Sequence, residues 1–289
     1  MKSANERGLK SAMEHPSGRL STHEAHGAAG SAFAQYVGSD VLLSLQNTRT
    51  RAETEPSFLI ITQVTELLFK LAHTEAVRAR DLLEDDDVPG ALRALRRFRS
   101  TCVSLNGTIE VLSSMGPTEY AEYRGALGDG SGFQSYMYRH LEFVLGHKVA
   151  AMARLHRDDE RVHRDLLRAL GEISLYDAAL RLLWRQGLAV PESMVDRDWS
   201  LPYTEQDDIV AAWHVVYTEQ DKHAELYLLA EALMDAAFEL CRWRTTHLMV
   251  VERVLGSKGG TGGTTGASWL RRAAQHRFFP ELWTVRTGL

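Results

Sequence analysis

The chain has 289 residues, with 33 Lys or Arg against 38 Asp or Glu, a formal net charge of −5 and 44% apolar residues. That balance suits an ordinary globular chain with a sizeable core and gives no sign of a phosphate-binding surface, so nucleic acid is not expected as a partner. Apolar runs such as Phe58-Leu59-Ile60-Ile61 and Leu248-Met249-Val250-Val251 fall far short of the roughly 20 residues of a membrane span, and no membrane is expected either.

The start, MKSANERGLKSAMEHPSG, has no apolar core of a secretory signal. Two cysteines, Cys102 and Cys241, are too few for a disulfide framework, which points to a reducing, cytoplasmic setting. Residues 1–32 are polar and rich in Gly, Ser, Ala and His; they read as a flexible N-terminal tail ahead of one domain over residues 33–289.

The first helical pattern runs from Ser57 to Leu83. The clearest follows it: Val88, Ala91, Leu95, Phe98, Cys102, Leu105, Ile109 and Leu112 recur in steps of three and four, the buried stripe of a long helix. Asp87 before Val88-Pro89 predicts its N-cap, and Gly116-Pro117 its end. Further helical patterns cover Phe133 to His156, Glu160 to Gln186 and Asp207 to Tyr217. A second long stripe, Leu226, Leu229, Leu233, Ala237, Leu240, Arg244, His247, Val251 and Val254, stops at Gly256. No segment alternates with a period of two, so strands are not predicted. The fold class is all-α, a bundle of long helices.

Four features could carry chemistry. Gly259 to Gly266 holds five glycines and three threonines just ahead of a helical pattern near Ala267. It reads as a flexible linker or as a carboxylate-binding helix mouth; without the Lys-Ser/Thr ending of a P-loop, nucleotide phosphate is disfavoured. His247 sits on the apolar stripe of its helix, either as a hydrogen-bonded core histidine or as an axial haem ligand, and spacing leaves both open. Tyr120 and Arg124 share one helical face, and Ser131-Gly132 opens the next helix; a carboxylate clamp and a surface ion pair are both consistent with this. Phe58 and Thr62 share a face one turn apart, as core residues also do. The acidic runs Asp85-Asp86-Asp87 and Asp207-Asp208 read as solvated helix starts.

Taken together, the segments FLIITQVTELLFK, YRGALGDGSGFQSYMYR, SLYDAALRLLWRQG, WRTTHLMVVERVLGSKGGTGGTTG and RFFPELWTVRTGL resemble the tryptophan 2,3-dioxygenase family, in that family's order, from Tyr36 to the C-terminus. The resemblance implies an all-α homotetramer with a haem pocket, using haem b and O2. It implies that His247 is the proximal iron ligand, Arg124 the substrate-carboxylate clamp and Thr261 a contact to the amino-acid head. Phe58, Tyr120, Leu127, Ser131 and Gly132 would line the pocket around the indole, with Thr62 and Ser131 nearest the chemistry. Phe33, Tyr36 and Val37 match a segment that reaches into a neighbouring subunit's site; Phe33 stands where a tyrosine is usual.

Two departures bear on the reaction. Thr62-Gln63 replaces the family's distal His-Gln pair, and Thr54-Glu55-Pro56-Ser57 stands in place of its preceding His-Asp-Glu signature. A threonine is shorter and neutral, and leaves room beside the ring. The expected activity is therefore oxygen insertion at the indole C2–C3 of L-tryptophan or a substituted tryptophan. The product is an N-formylkynurenine type if both atoms enter, or a 2-oxindole if one enters and an external reductant supplies electrons. The alternatives are a haem-dependent hydroxylase of tyrosine-type substrates and a non-catalytic haem-binding sensor.

Overall fold

A computed structural model describes residues 30–256 and 267–289. Residues 1–29, most of the expected tail, and residues 257–266, which include Thr261, lie outside the described residues. The chain divides into two compact units, one ending at Asn47 and one running from Thr48 to Leu289.

In the first unit, α1 (Ala32–Val37) is capped by Ser31, whose hydroxyl oxygen accepts the Ala34 N–H at 3.2 Å. Gly38, at φ +69°, turns the chain into α2 (Ser39–Leu42); this left-handed backbone is one glycine adopts without a Cβ clash.

The regular structure of the second unit is helical throughout its described residues. Its elements are α3 (Glu55–Glu84), α4 (Val88–Ser113), α5 (Pro117–Arg124), α6 (Tyr136–Val144), α7 (Ala150–Arg154), α8 (Glu160–Gly171), α9 (Leu175–Arg185), α10 (Glu192–Val195), α11 (Asp207–Thr218), α12 (Ala224–Leu255), α13 (Ala267–Gln275) and α14 (Pro280–Thr284). The all-α expectation holds, with no strand among the described residues.

The stripes explain the packing. On α4, Val88, Ala91, Leu95, Phe98, Cys102, Leu105 and Ile109 are all buried, and the helix begins where Asp87 accepts the Gly90 N–H at 2.8 Å. Helices α3 and α12 both pack along α4. On α12 the stripe is buried from Leu226 to Arg244, whereas His247, Val251 and Val254 face a cavity between α12 and α3. Gly256, at φ +61°, ends α12 as predicted.

Two predicted helices are broken where the sequence carries no proline. The Phe133–His156 pattern divides at Gly146 (φ +97°), and the Glu160–Gln186 pattern divides between Gly171 and Leu175. The buried amine of Lys148 explains both breaks. It donates to the carbonyls of Ala169 (2.9 Å), Leu170 (3.0 Å) and Glu172 (2.6 Å), terminating α8 and fixing the turn after α6. Ser174 then opens α9 in a capping box with Asp177.

Candidate active site

The cavity between α3 and α12 holds about 280 Å³. Its wall is mostly apolar: Phe58 and Phe69 from α3, Ile109 and Leu112 from α4, Trp243, Val250 and Val254 from α12, and Trp269 and Leu270 from α13. Five of the residues singled out in the sequence, besides Phe58, meet on this wall: Thr62, Tyr120, Ser131, Gly132 and His247.

Local structure aims each of them. Phe58, Tyr120 and Tyr123 form a ring cluster, with Phe58 5.7 Å from Tyr120 and 5.5 Å from Tyr123. Burial raises the Tyr120 phenol above its ordinary value, partly opposed by the nearby Arg124 charge, so the ring is neutral across the physiological range. One turn from Phe58, the Thr62 hydroxyl donates to the Phe58 carbonyl at 2.7 Å. Its proton is thereby committed, and its oxygen is left as an acceptor. Ser131 caps the short turn Gly132–Gln134, accepting the Phe133 N–H at 3.3 Å. Phe133 then meets Trp269 of α13 edge-on at 4.6 Å, joining that turn to the far wall.

On α12, the His247 ring stacks on Trp243 at 5.1 Å. It is open to the cavity yet removed from bulk water, and this desolvation alone brings its pKa down to about 4. The imidazole is therefore neutral, the form that can lend a lone pair. One turn earlier, Arg244 is buried and held from three sides. Its Nε donates to the Tyr138 hydroxyl at 2.6 Å, and its two terminal nitrogens donate to Glu142 (2.7 Å) and to the Ala273 carbonyl (3.1 Å). Arg139 donates to the other oxygen of Glu142 and lies against the rings of Phe133, Tyr138 and Trp269. Burial works against the Glu142 charge, but Arg139, His147 and Arg244 outweigh it and hold the carboxyl at about 2.

The remaining expectations are placed elsewhere. Arg124 lines an adjoining recess with Gly125 and Gly128; Tyr120, Val254 and Leu255 border both spaces. Leu127 is not on the cavity wall; its turn is held by Arg49, which donates to the carbonyls of Ala126 (2.9 Å) and Leu127 (3.2 Å). Phe33, Tyr36 and Val37 lie on α1 in the first unit, all exposed. Sequence reasoning passed over Glu66, Arg139, Tyr138 and Trp269 on the wall. Only Glu66 left a readable trace, four residues after Thr62 on the same helical face.

The chain matches the family model described as tryptophan 2,3-dioxygenase over residues 18–168 and 164–289. It is 38% identical over 257 residues to the tryptophan 2,3-dioxygenase of Shewanella woodyi, covering 89% of this chain and 90% of that one. It is 41% identical to tryptophan 2,3-dioxygenase 1 of Ralstonia nicotianae (89% and 87% covered) and 38% identical to the enzyme of Bacillus thuringiensis subsp. konkukian (89% and 92%). The chain belongs to the tryptophan 2,3-dioxygenase family. As a member it is a haem-dependent oxidoreductase, and the family's co-substrate is O2.

The donor chemistry of the cavity fits that cofactor. A neutral imidazole faces an apolar space walled by flat rings, and the buried Nε of Arg139, on the same wall, has no hydrogen-bond partner among the described residues. Among the described residues no cluster of His, Cys, Asp and Glu could instead hold a bare metal ion. No helix among them is long and apolar enough to cross a membrane.

Proposed function

We propose that this tryptophan 2,3-dioxygenase family member inserts oxygen into the indole C2–C3 of L-tryptophan or a substituted tryptophan, with His247 as the residue that would hold the iron of haem b. The observation that carries this reading is a desolvated, neutral His247 facing an apolar cavity whose opposite helix presents Phe58 and Thr62. The bound haem supplies the centre at which O2 is activated.

The chain's own residues supply binding and orientation. Arg124, in the recess adjoining Tyr120, takes the substrate carboxylate, and Thr261 contacts the amino-acid head. Phe58 and Tyr120 wall the indole, and Ser131 and Gly132 close the pocket beside it. Thr62 accepts the indole N–H through the oxygen whose proton is bonded to the Phe58 carbonyl. Holding the ring in this way contributes several kcal/mol by orientation, at order of magnitude. A hydroxyl committed to its own helix does not act as a base, so the ring N–H is held rather than removed at this position.

The short side chain of Thr62 favours a second outcome in the same site, monooxygenation of a substituted tryptophan to a 2-oxindole, with an external reductant as electron source. Self-association belongs to the reading as well. Ile60, Val64, Leu67 and Leu71 form an exposed apolar row on the face of α3 turned away from the cavity, and Phe33, Tyr36 and Val37 are exposed on α1; these surfaces support a homotetramer.

Turnover of L-tryptophan and β-methyltryptophan by the ferrous holoprotein under labelled O2 tests the reaction. Two labelled atoms in the product identify ring cleavage, one identifies the oxindole, and no turnover of either substrate refutes both. His247→Ala is expected to abolish the Soret band of the purified protein, and an unaltered spectrum rejects the ligand assignment.

A further inference from the structure

Two buried donors belong to residues on the wall of the His247 cavity and have no acceptor among the described residues. They are the Nε of Arg139 and the indole N–H of Trp243. Arg139 is 1% exposed and Trp243 7%, so bulk water does not satisfy either group, and leaving a buried N–H unpaired is costly. Other contacts hold both side chains in place. Trp243 stacks on His247 at 5.1 Å and meets Phe69 edge-on at 5.3 Å. Arg139 donates through a terminal nitrogen to Glu142, and its guanidinium carbon lies 4.9 Å from the centre of the Tyr138 ring. Trp243 packs on that same ring at 5.4 Å.

The charge balance points the same way. Arg139 and Arg244 both line the cavity, and both pair with a single carboxylate, Glu142. Glu66, the acid on the same wall, is ion-paired with neither among the described residues. Two guanidinium groups against one carboxylate leave a positive charge in excess in a buried cluster, which is unfavourable without a counter-charge. The wall therefore lacks a group that both accepts hydrogen bonds and carries negative charge, and a carboxylate meets both needs.

Haem and an amino-acid substrate each carry carboxylates, and position separates them. Arg124 lines the adjoining recess with Gly125 and Gly128, whereas Trp243 lies against the imidazole itself. We propose that the Arg139 Nε–H and the Trp243 indole N–H form a carboxylate site for the acidic edge of the haem. The proposal rests on the placement of haem at His247 given under Proposed function.

Haem loss from the full-chain holoprotein to an excess of a tighter haem-binding scavenger protein tests it. The protein is loaded either with haem b or with its dimethyl ester, in which both carboxylates are capped. Wild type is expected to release the ester about ten- to a hundredfold faster, the range of a hydrogen bond to a charged group. Trp243→Phe keeps a ring against His247 but has no N–H, so it is expected to speed release of haem b about tenfold, with a far smaller effect on the ester. Arg139→Lys, which keeps a charge beside Glu142 without an Nε–H, carries the same test should the Trp243 variant fail to fold. The proposal is overturned if wild type releases both forms at one rate, or if the wild-type ratio persists in the variant. Binding of L-tryptophan against tryptamine, which has no carboxylate, covers the other source: if Trp243→Phe narrows that gap and leaves the haem ratio alone, the donors serve the substrate and the haem assignment falls. An unaltered Soret band in His247→Ala refutes the placement of haem at His247, whereas a lost band with equal release of the two forms refutes the carboxylate site alone.

Discussion

Replacing Glu142 by glutamine removes one charge from a buried cluster and leaves its shape almost unchanged. Glu142 is 1% exposed and lies between Arg139 and Arg244, themselves 1% and 4% exposed, so the variant leaves two guanidinium groups without a counter-charge in a water-poor interior. The magnitude can be worked two ways. A carboxyl held at about 2 instead of the ordinary 4.5 corresponds to about 3 kcal/mol of folding free energy. Breaking a buried ion pair by removing one partner costs about 3–5 kcal/mol. The two agree on a loss of about 3 kcal/mol. Because the folded carboxyl is the stronger acid, its contribution is complete above pH 4.5 and is lost as pH falls from there towards 2. Urea unfolding of wild type and Glu142→Gln, followed by circular dichroism between pH 7 and the lowest pH at which both fold, reads this directly. The gap between them is expected to narrow steadily below about pH 4.5. A loss under about 1 kcal/mol at neutral pH, or a gap that stays constant on acidification, refutes the argument.

Three further outcomes are expected. Arg124→Ala should weaken binding of L-tryptophan to the holoprotein by about 2–4 kcal/mol if the guanidinium is a desolvated carboxylate clamp, and an unchanged dissociation constant counts against that role. Leu67→Glu, which places a charge in the exposed row of α3, should shift the assembly to smaller species in light scattering; a wild-type monomer would remove the basis of the tetramer. His276 stacks on His147 at 3.9 Å, and burial, with His147 and Arg244 nearby, brings it down to about 3. Its unfolded imidazole binds protons near pH 6.5, so stability should fall as pH drops from about 6.5 towards 3. His276→Phe should flatten that fall, and an identical acid profile in the variant would show that the stacked pair is not its source.

Legibility in the sequence followed the physical signal. The stripe of α4 and the start of α12 were readable because one face of each is buried along its length, which imposes steps of three and four, and Asp87 and Gly256 marked their ends with side-chain chemistry. The breaks at Gly146 and before Ser174 were not readable. They depend on an amine at Lys148 reaching carbonyls more than twenty residues away, a tertiary contact with no local trace. In the site, Phe58, Thr62, Tyr120, Ser131, Gly132 and His247 line one cavity. Leu127 does not join them; Arg49 bonds the carbonyl of its turn. The Arg139–Glu142–Arg244 cluster was missed because two helices bring it together in space, and in the sequence only Arg244 stands out, as an oddity in an apolar stripe.

That oddity bears on where His247 points. Arg244 precedes it by three residues, so any rotation of α12 that turned the imidazole away from the cavity would also carry Arg244 away from its acceptors. Those acceptors belong to Tyr138 and Glu142 on α6 and to Ala273 on α13, so α12 is fixed in rotation by two separate elements. An apolar residue at 244 would pack as readily but would tolerate small rotations, because hydrophobic contact is not directional. Three directed hydrogen bonds to a planar guanidinium do not tolerate them. The charge inside the apolar stripe is thus accounted for by geometry: it sets the angle at which the next turn presents its imidazole to the cavity.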